Sequence, residues 1–205
     1  MPVTAPLLTQ SIFGQFSAVG FSGTSDMSIA SSIGNGLATH IVTPNLVSCL
    51  LNGTAGPTGS ITSIAVIGLV PSAMSSLMLS KASSSKSFTG RDLSKFFNAV
   101  SNGICAILQG MILSGISAGI AVGIGTGSFT ALNEQVLTSL MSSFMLTNNL
   151  TGTRNLDLVE CISFGIVTHL TSVTFSLTVT GVIAPVAPAG PIAVVGIPSI
   201  LNNIS

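Results

Sequence analysis

Charge is what this chain has least of. Five Lys and Arg and five Asp and Glu in 205 residues make up 5% of the sequence, where a soluble domain usually carries roughly 25%. Most of the surface must then be Ser, Thr, Asn, Gly and apolar atoms. A formal net charge of zero at pH 7 also removes the mutual repulsion that keeps proteins apart in water. Such a chain is expected to be covered by protein neighbours or to lie against lipid. Five basic residues cannot neutralise a useful length of phosphate backbone, which argues against nucleic acid as a partner. Lys81, Lys86, Arg91 and Lys95 do cluster, but within a Ser-rich stretch that reads as a solvated linker.

Trp and Tyr are absent altogether. That removes the aromatic belt of a membrane protein and handicaps a carbohydrate- or ice-binding surface, which relies on aromatic platforms. Cysteine is scarce: Cys49, Cys105 and Cys161 are widely spaced, with no C-x-x-C pair and no His in metal-ligand register. They exclude a disulfide framework or zinc site and read as small buried thiols of a reducing compartment. The opening Met1-Pro2-Val3-Thr4-Ala5-Pro6 has neither the basic start nor the apolar core of a secretory signal, so export by that route is not expected.

Acid/base material is equally thin. No G-x-S-x-G elbow, H-E-x-x-H or paired carboxylates on one face occur, so no catalytic residue, cofactor or metal ligand is assigned and an enzyme is not expected. Gly123-Ile124-Gly125-Thr126-Gly127-Ser128 has the look of a phosphate-cradling loop, but no Walker lysine or acidic ribose ligand accompanies it. It reads as a strand-to-helix turn. His40 and His169 stand four residues after Gly36 and Gly165, where the middle of the chain has Ile107. They read as half-buried helix-end residues whose cationic form is favoured near a helix carboxyl terminus. Asp157 and Glu160 have Arg154 in reach, enough for a solvated ion pair.

What the chain does have is a threefold internal repeat. Gly23, Gly90 and Gly152 each stand thirteen residues before Gly36, Gly103 and Gly165. Downstream, Ile64-Ala65-Val66, Ile120-Ala121-Val122 and Ile192-Ala193-Val194 recur, at 28, 17 and 27 residues from the second glycine. The middle copy is therefore trimmed in a connection. Each copy begins with a helix (Ala5 to Phe16, Ala73 to Lys81, Phe129 to Met145). In the third, Leu132, Val136, Leu140 and Phe144 fall four apart as one stripe, with Ser128 or Thr130 as cap. A second helix starts after Asp26, Asp92 or Asn155 and runs through the aligned glycine, whose cost in a helix of about 1 kcal/mol calls for close approach to a neighbour. A hairpin is expected next: Leu46 to Leu51 with Ser60 to Leu69, Met111 to Ile116 with Gly119 to Ile124, and Val173 to Ile183 with Pro191 to Ile197. Strict alternation over Thr171 to Thr180 supports the last. The third hairpin loop, Ala184, Pro185, Val186, Ala187, Pro188, Ala189 and Gly190, is too rich in proline for helix or ladder and is a candidate docking tongue.

The expected fold is thus α+β, with three helix-helix-β-hairpin repeats (1–71, 72–127 with a shortened hairpin, and 128–205) in one domain around one core, an arrangement compatible with internal pseudo-threefold symmetry. A membrane protein, such as a small pore or holin-like protein, is the competing reading. Mean hydropathy is +0.81, and spans near Ile61 to Leu79, Ala99 to Ile124 and Cys161 to Ile183 can be drawn. Gly115, Gly119 and Gly123 even form G-x-x-x-G spacings. Strand alternation, the missing aromatic belt and the Gly and Pro interruptions weigh against it.

In its low charge, its richness in Ser, Thr, Gly and Ala, its helices with spaced glycines and its loop Val182 to Pro191, the chain resembles minor virion structural proteins of tailed bacteriophages. The resemblance is one of overall pattern and transfers no functional residue. It implies a non-enzymatic component of the tail, baseplate, neck or capsid, assembled in the host cytoplasm. Its partners would be further copies and other structural subunits.

Overall fold

A computed structural model describes the backbone of residues 3–42, 48–55, 59–84, 90–110, 112–118, 122–129, 132–180 and 192–200, and side chains within 3–23, 25–42, 68–84, 90–110, 129 and 132–173. The residues with described side chains form six helices: α1 Ala5–Ala18, α2 Thr24–Val42, α3 Pro71–Ser84, α4 Leu93–Gln109, α5 Glu134–Thr147 and α6 Asn155–Thr171. Each helix packs on the one before and the one after, and α6 packs on α1, so the six close into a ring.

Local chemistry sets the helix ends. Pro6 and Pro71 sit in the first turns of α1 and α3, where the missing N–H costs nothing. Asn133 caps α5 through its side-chain oxygen, which accepts from the N–H groups of Gln135 at 2.9 Å and Val136 at 3.2 Å, so the helix starts at Glu134 rather than at Phe129. At the end of α6 the hydroxyls of Thr171 and Ser172 donate to the carbonyls of Val167 and His169 at 2.8 and 2.6 Å, satisfying acceptors that the last turn leaves open. The three helix-to-helix turns end alike. The N–H groups of Asp26, Leu93 and Asn155 donate to the carbonyls of Gly23, Gly90 and Gly152 at 3.1, 3.2 and 3.2 Å.

The fold class read from the sequence, α+β with three helix-helix-β-hairpin repeats around a common core, is corrected here. Among the residues whose side chains are described, none lies in a strand or hairpin, and the body they form is all-α. The described buried apolar residues all belong to helices or to residues flanking them, such as Val3, Leu69, Phe129, Leu132 and Val173. Ring closure is the physical reason. Each helix covers its apolar stripe with two helical neighbours, so these helices need no sheet layer to bury it. The remaining described backbone is extended, in β1 Ser48–Ala55, β2 Gly59–Ile67, β3 Ile112–Ala118, β4 Val122–Ser128, β5 Thr174–Thr180 and β6 Ile192–Ile200. It pairs antiparallel in chain order, with β6 returning to β1, and meets the helices chiefly where β2 touches α4.

The ring is unevenly buried. α4 buries Phe97, Val100, Ile104 and Leu108 among others, and α6 buries Val159, Ile162, Ile166 and Leu170. By contrast α1 buries only Leu8, Ile12 and Phe16, and α5 only Leu137, Met141 and Met145. The buried stripe of α5 therefore lies one residue beyond the expected Val136, Leu140 and Phe144; Val136 is exposed, and Leu140 and Phe144 are half-buried.

Candidate functional site

The three glycines that align the repeat stand at the joints of the ring. Gly36 of α2 faces Met78 and Met74 of α3, Gly103 of α4 faces Met141 of α5, and Gly165 of α6 faces Ile12 of α1. A Cβ on Gly36 would lie 3.1 Å from the Met78 nitrogen and 3.2 Å from the Met74 carbonyl oxygen, and one on Gly103 would lie 3.2 Å from the Met141 Cα. One on Gly165 would reach 2.7 Å from the Cα of Ile12. Each joint thus connects one helix pair to the next.

A second small residue, two positions earlier, escaped the reading of the sequence. Gly34 of α2 packs on Thr9 and Ala5 of α1, and Ser101 of α4 donates to the Met78 sulfur of α3 at 3.5 Å. Ser163 of α6 occupies the same place and is buried. Positions two apart on a helix point about 200° from one another. α2 and α4 therefore each carry one small residue toward their own partner and one toward the next pair. Small residues at i and i+2 were the available signal.

The first glycines of the repeat have a different role. Gly23 donates its N–H to the Asp26 carboxylate, and Gly152 abuts the Asn155 side chain, whose Nδ2 donates to the Leu150 carbonyl at 3.0 Å. They shape turns. Asp26, Asp92 and Asn155, expected as caps, stand at or just inside the helix starts; Asp92 accepts from the Lys95 ammonium at 2.8 Å instead of from backbone. That hydrogen bond, with the lysine charge, holds the Asp92 carboxyl below its ordinary range. Arg154 pairs with Asp157 at 3.3 Å as read. It also donates to the Val19 carbonyl at 3.1 Å and lies 3.8 Å over the Phe21 ring, tying the α5–α6 turn to the α1–α2 turn.

His40 and His169 are not half-buried; they are 0% and 3% exposed. The Val70 N–H, at the entry to α3, donates to His40 Nε2 at 3.1 Å. An imidazole nitrogen that accepts is unprotonated, so His40 is neutral there. Burial lowers the pKa of both histidines, which overrides the cationic preference expected at a helix end. His40 Nδ1 and His169 Nε2 are buried without a hydrogen-bond partner.

Cys105 and Cys161 are buried free thiols. Burial pushes Cys105 up to about 12; Cys161 is raised by burial first and then by the Asp157 and Glu160 charges. Gly123 to Ser128 lies within β4 rather than in a strand-to-helix turn. The tongue Ala184 to Gly190 lies outside the described residues. Among the described residues no group of His, Cys, Asp and Glu could hold a metal ion. No described helix is long and apolar enough to cross a membrane. The spans drawn from hydropathy each run across an element boundary, since α3 begins at Pro71, α4 ends at Gln109 and α6 ends at Thr171.

One surface feature stands apart from the joints. Between the end of α5 and the start of α6, Met145, Leu146, Leu150, Leu156 and Val159 line a groove of about 280 Å³. Leu146 and Leu156 on its lip are 66% and 56% exposed. Comparison with known proteins finds no matching family model, no similar curated protein and no similar solved structure.

Proposed function

We propose that this chain is a non-enzymatic structural subunit of a large assembly, and that the assembly is the virion of a tailed bacteriophage. The observation that carries the reading is the groove lip: two exposed leucines, Leu146 and Leu156, on a chain of zero net charge with ten charged residues in all. Desolvating neutral and apolar surface costs far less than desolvating charge, so neighbouring subunits can cover this body cheaply. The small-residue joints add a rigid frame on which such contacts can be held. The virion assignment rests on the pattern resemblance alone.

The test has two parts. Mass spectrometry of purified phage particles that encode the chain is expected to find it at fixed stoichiometry; its absence from particles would refute the virion assignment. Sedimentation of the purified chain is expected to show concentration-dependent association that Leu146→Glu with Leu156→Glu abolishes while helical circular dichroism is kept. A monodisperse monomer at high concentration would refute the subunit reading itself.

A further inference from the structure

We propose that His40 and His169 make two of the three ring joints acid-sensitive, so that mild acid loosens α2 from α3 and α6 from α1 while the α4 to α5 joint stays closed. His40 stands in the last turn of α2, and its Nε2 accepts the N–H of Val70, thirty residues away at the mouth of α3. Protonating that nitrogen removes the acceptor and places a cation where none of the side chain reaches water. His169 stands at the same repeat position in α6, buried, with Nε2 unpartnered. A proton added there would have no acceptor. The middle copy places Ile107 at this point, buried at 8% exposure, so its joint has no imidazole to titrate.

The surroundings offer nothing in α1 to hold a cation, because residues 5–18 contain no charged side chain. α2 and α3 carry Asp26 and Lys81, both far along their helices from the His40 end. α6 carries Asp157, Glu160 and Cys161 in its first half, away from His169. Glu134 opens α5 at the end of the ring where α6 finishes, yet burial is the first cause that holds His169 down. Both histidines therefore stay neutral in the closed ring below the pH at which free imidazole protonates, about 6.5. The closed state is fully favoured above that pH. As pH falls through it the open state takes up protons the closed one refuses, and the effect levels off only below the depressed pKa values.

Hydrogen exchange between pH 7.5 and 5, corrected for the intrinsic rates, reads this joint by joint. Opening at the α2/α3 and α6/α1 joints is expected to grow by up to about tenfold per pH unit below 6.5 for each histidine, with the α4/α5 joint unchanged. His40→Gln, which keeps an acceptor for Val70, and His169→Ile, which copies the middle joint, are each expected to remove the effect at their own joint only. Equal loosening at all three joints, or loosening that survives both substitutions, would overturn the proposal. Should a variant not fold, the imidazole C2–H titrations of the unmodified chain decide the matter: midpoints below 6.5 support it, and midpoints at or above 6.5 overturn it.

Discussion

A methyl group added at Gly165 would stand 2.7 Å from the Cα and 2.8 Å from the nitrogen of Ile12, and backbone in a packed helix cannot step aside as a side chain can. Gly165→Ala is expected to cost about 2–3 kcal/mol as overpacking. At Gly36 and Gly103 the nearest obstacle is the Cγ of a methionine, which can turn away in part, so alanine there is expected to cost about 1–2 kcal/mol. Gly14, in α1, has nothing within 4 Å of its added Cβ, and Gly14→Ala is expected to stabilise by about 0.5–1 kcal/mol. Urea unfolding of the four variants checks both order and sign; a loss at Gly14 as large as at Gly165 would mean that helix propensity, not the joint, governs them. The glycine register was legible in the sequence because the chain repeats it without a gap. Which atoms each glycine meets was not, because two of the three contacts are methionines at different places in the M-S-S-x-M-L stretches of α3 and α5, and the third is Ile12. The thiols follow the same logic of burial. In a Cys49→Ser background, Cys105 and Cys161 are expected to resist a thiol reagent at pH 8 until the chain is unfolded, and rapid labelling of the folded protein would show the joints to be open.

At the scale of the element, α5 shows where sequence periodicity misleads. Val136, Leu140 and Phe144 keep a four-residue spacing, but so do Leu137, Met141 and Met145, and the second set is the buried one. Nothing in the sequence separates two adjacent stripes when both are apolar. The choice is made by Gly103, whose missing side chain admits Met141. Met141→Ala is accordingly expected to cost about 2–5 kcal/mol and Val136→Ser well under 1 kcal/mol, with equilibrium unfolding as the measure; the reverse order would place the wrong face inward. Asn133→Ala removes an acceptor for two N–H groups and is expected to cost about 1 kcal/mol. The aligned glycines kept the even-numbered helices readable. Fold class was misread for a reason of the same kind. Alternation over Thr171 to Thr180 suggested a hairpin in a core shared with the helices; β5 does take Thr174–Thr180, but α6 runs through Thr171 and the helices cover one another.

For the molecule as a whole, the question is what keeps a ring of six helices from opening at the place where chain connectivity does not help. The α6 to α1 joint joins elements that are far apart in sequence, and Gly165 on Ile12 is its interior contact. At its rim Arg154 spans 135 residues to reach the Val19 carbonyl and lies over the Phe21 ring, which itself meets Phe16 edge-on at 5.7 Å. The guanidinium also pairs with Asp157, but both side chains are about half exposed, so that ion pair adds little. The cation over the ring and the hydrogen bond to Val19 each contribute roughly 0.5–1 kcal/mol at such a site. Arg154→Met keeps the aliphatic cover of Phe21 and removes the charge and the donors. It is expected to cost about 1–2 kcal/mol, and the loss should add to the effect of Gly14→Ala, whose added methyl meets nothing within 4 Å, but fall short of additivity with Gly165→Ala, because a joint already forced apart has less rim contact left to lose. A double-mutant cycle on unfolding free energies measures this. Full additivity of Arg154→Met with Gly165→Ala would mean that rim and interior act separately and that the ring does not close as one cooperative joint.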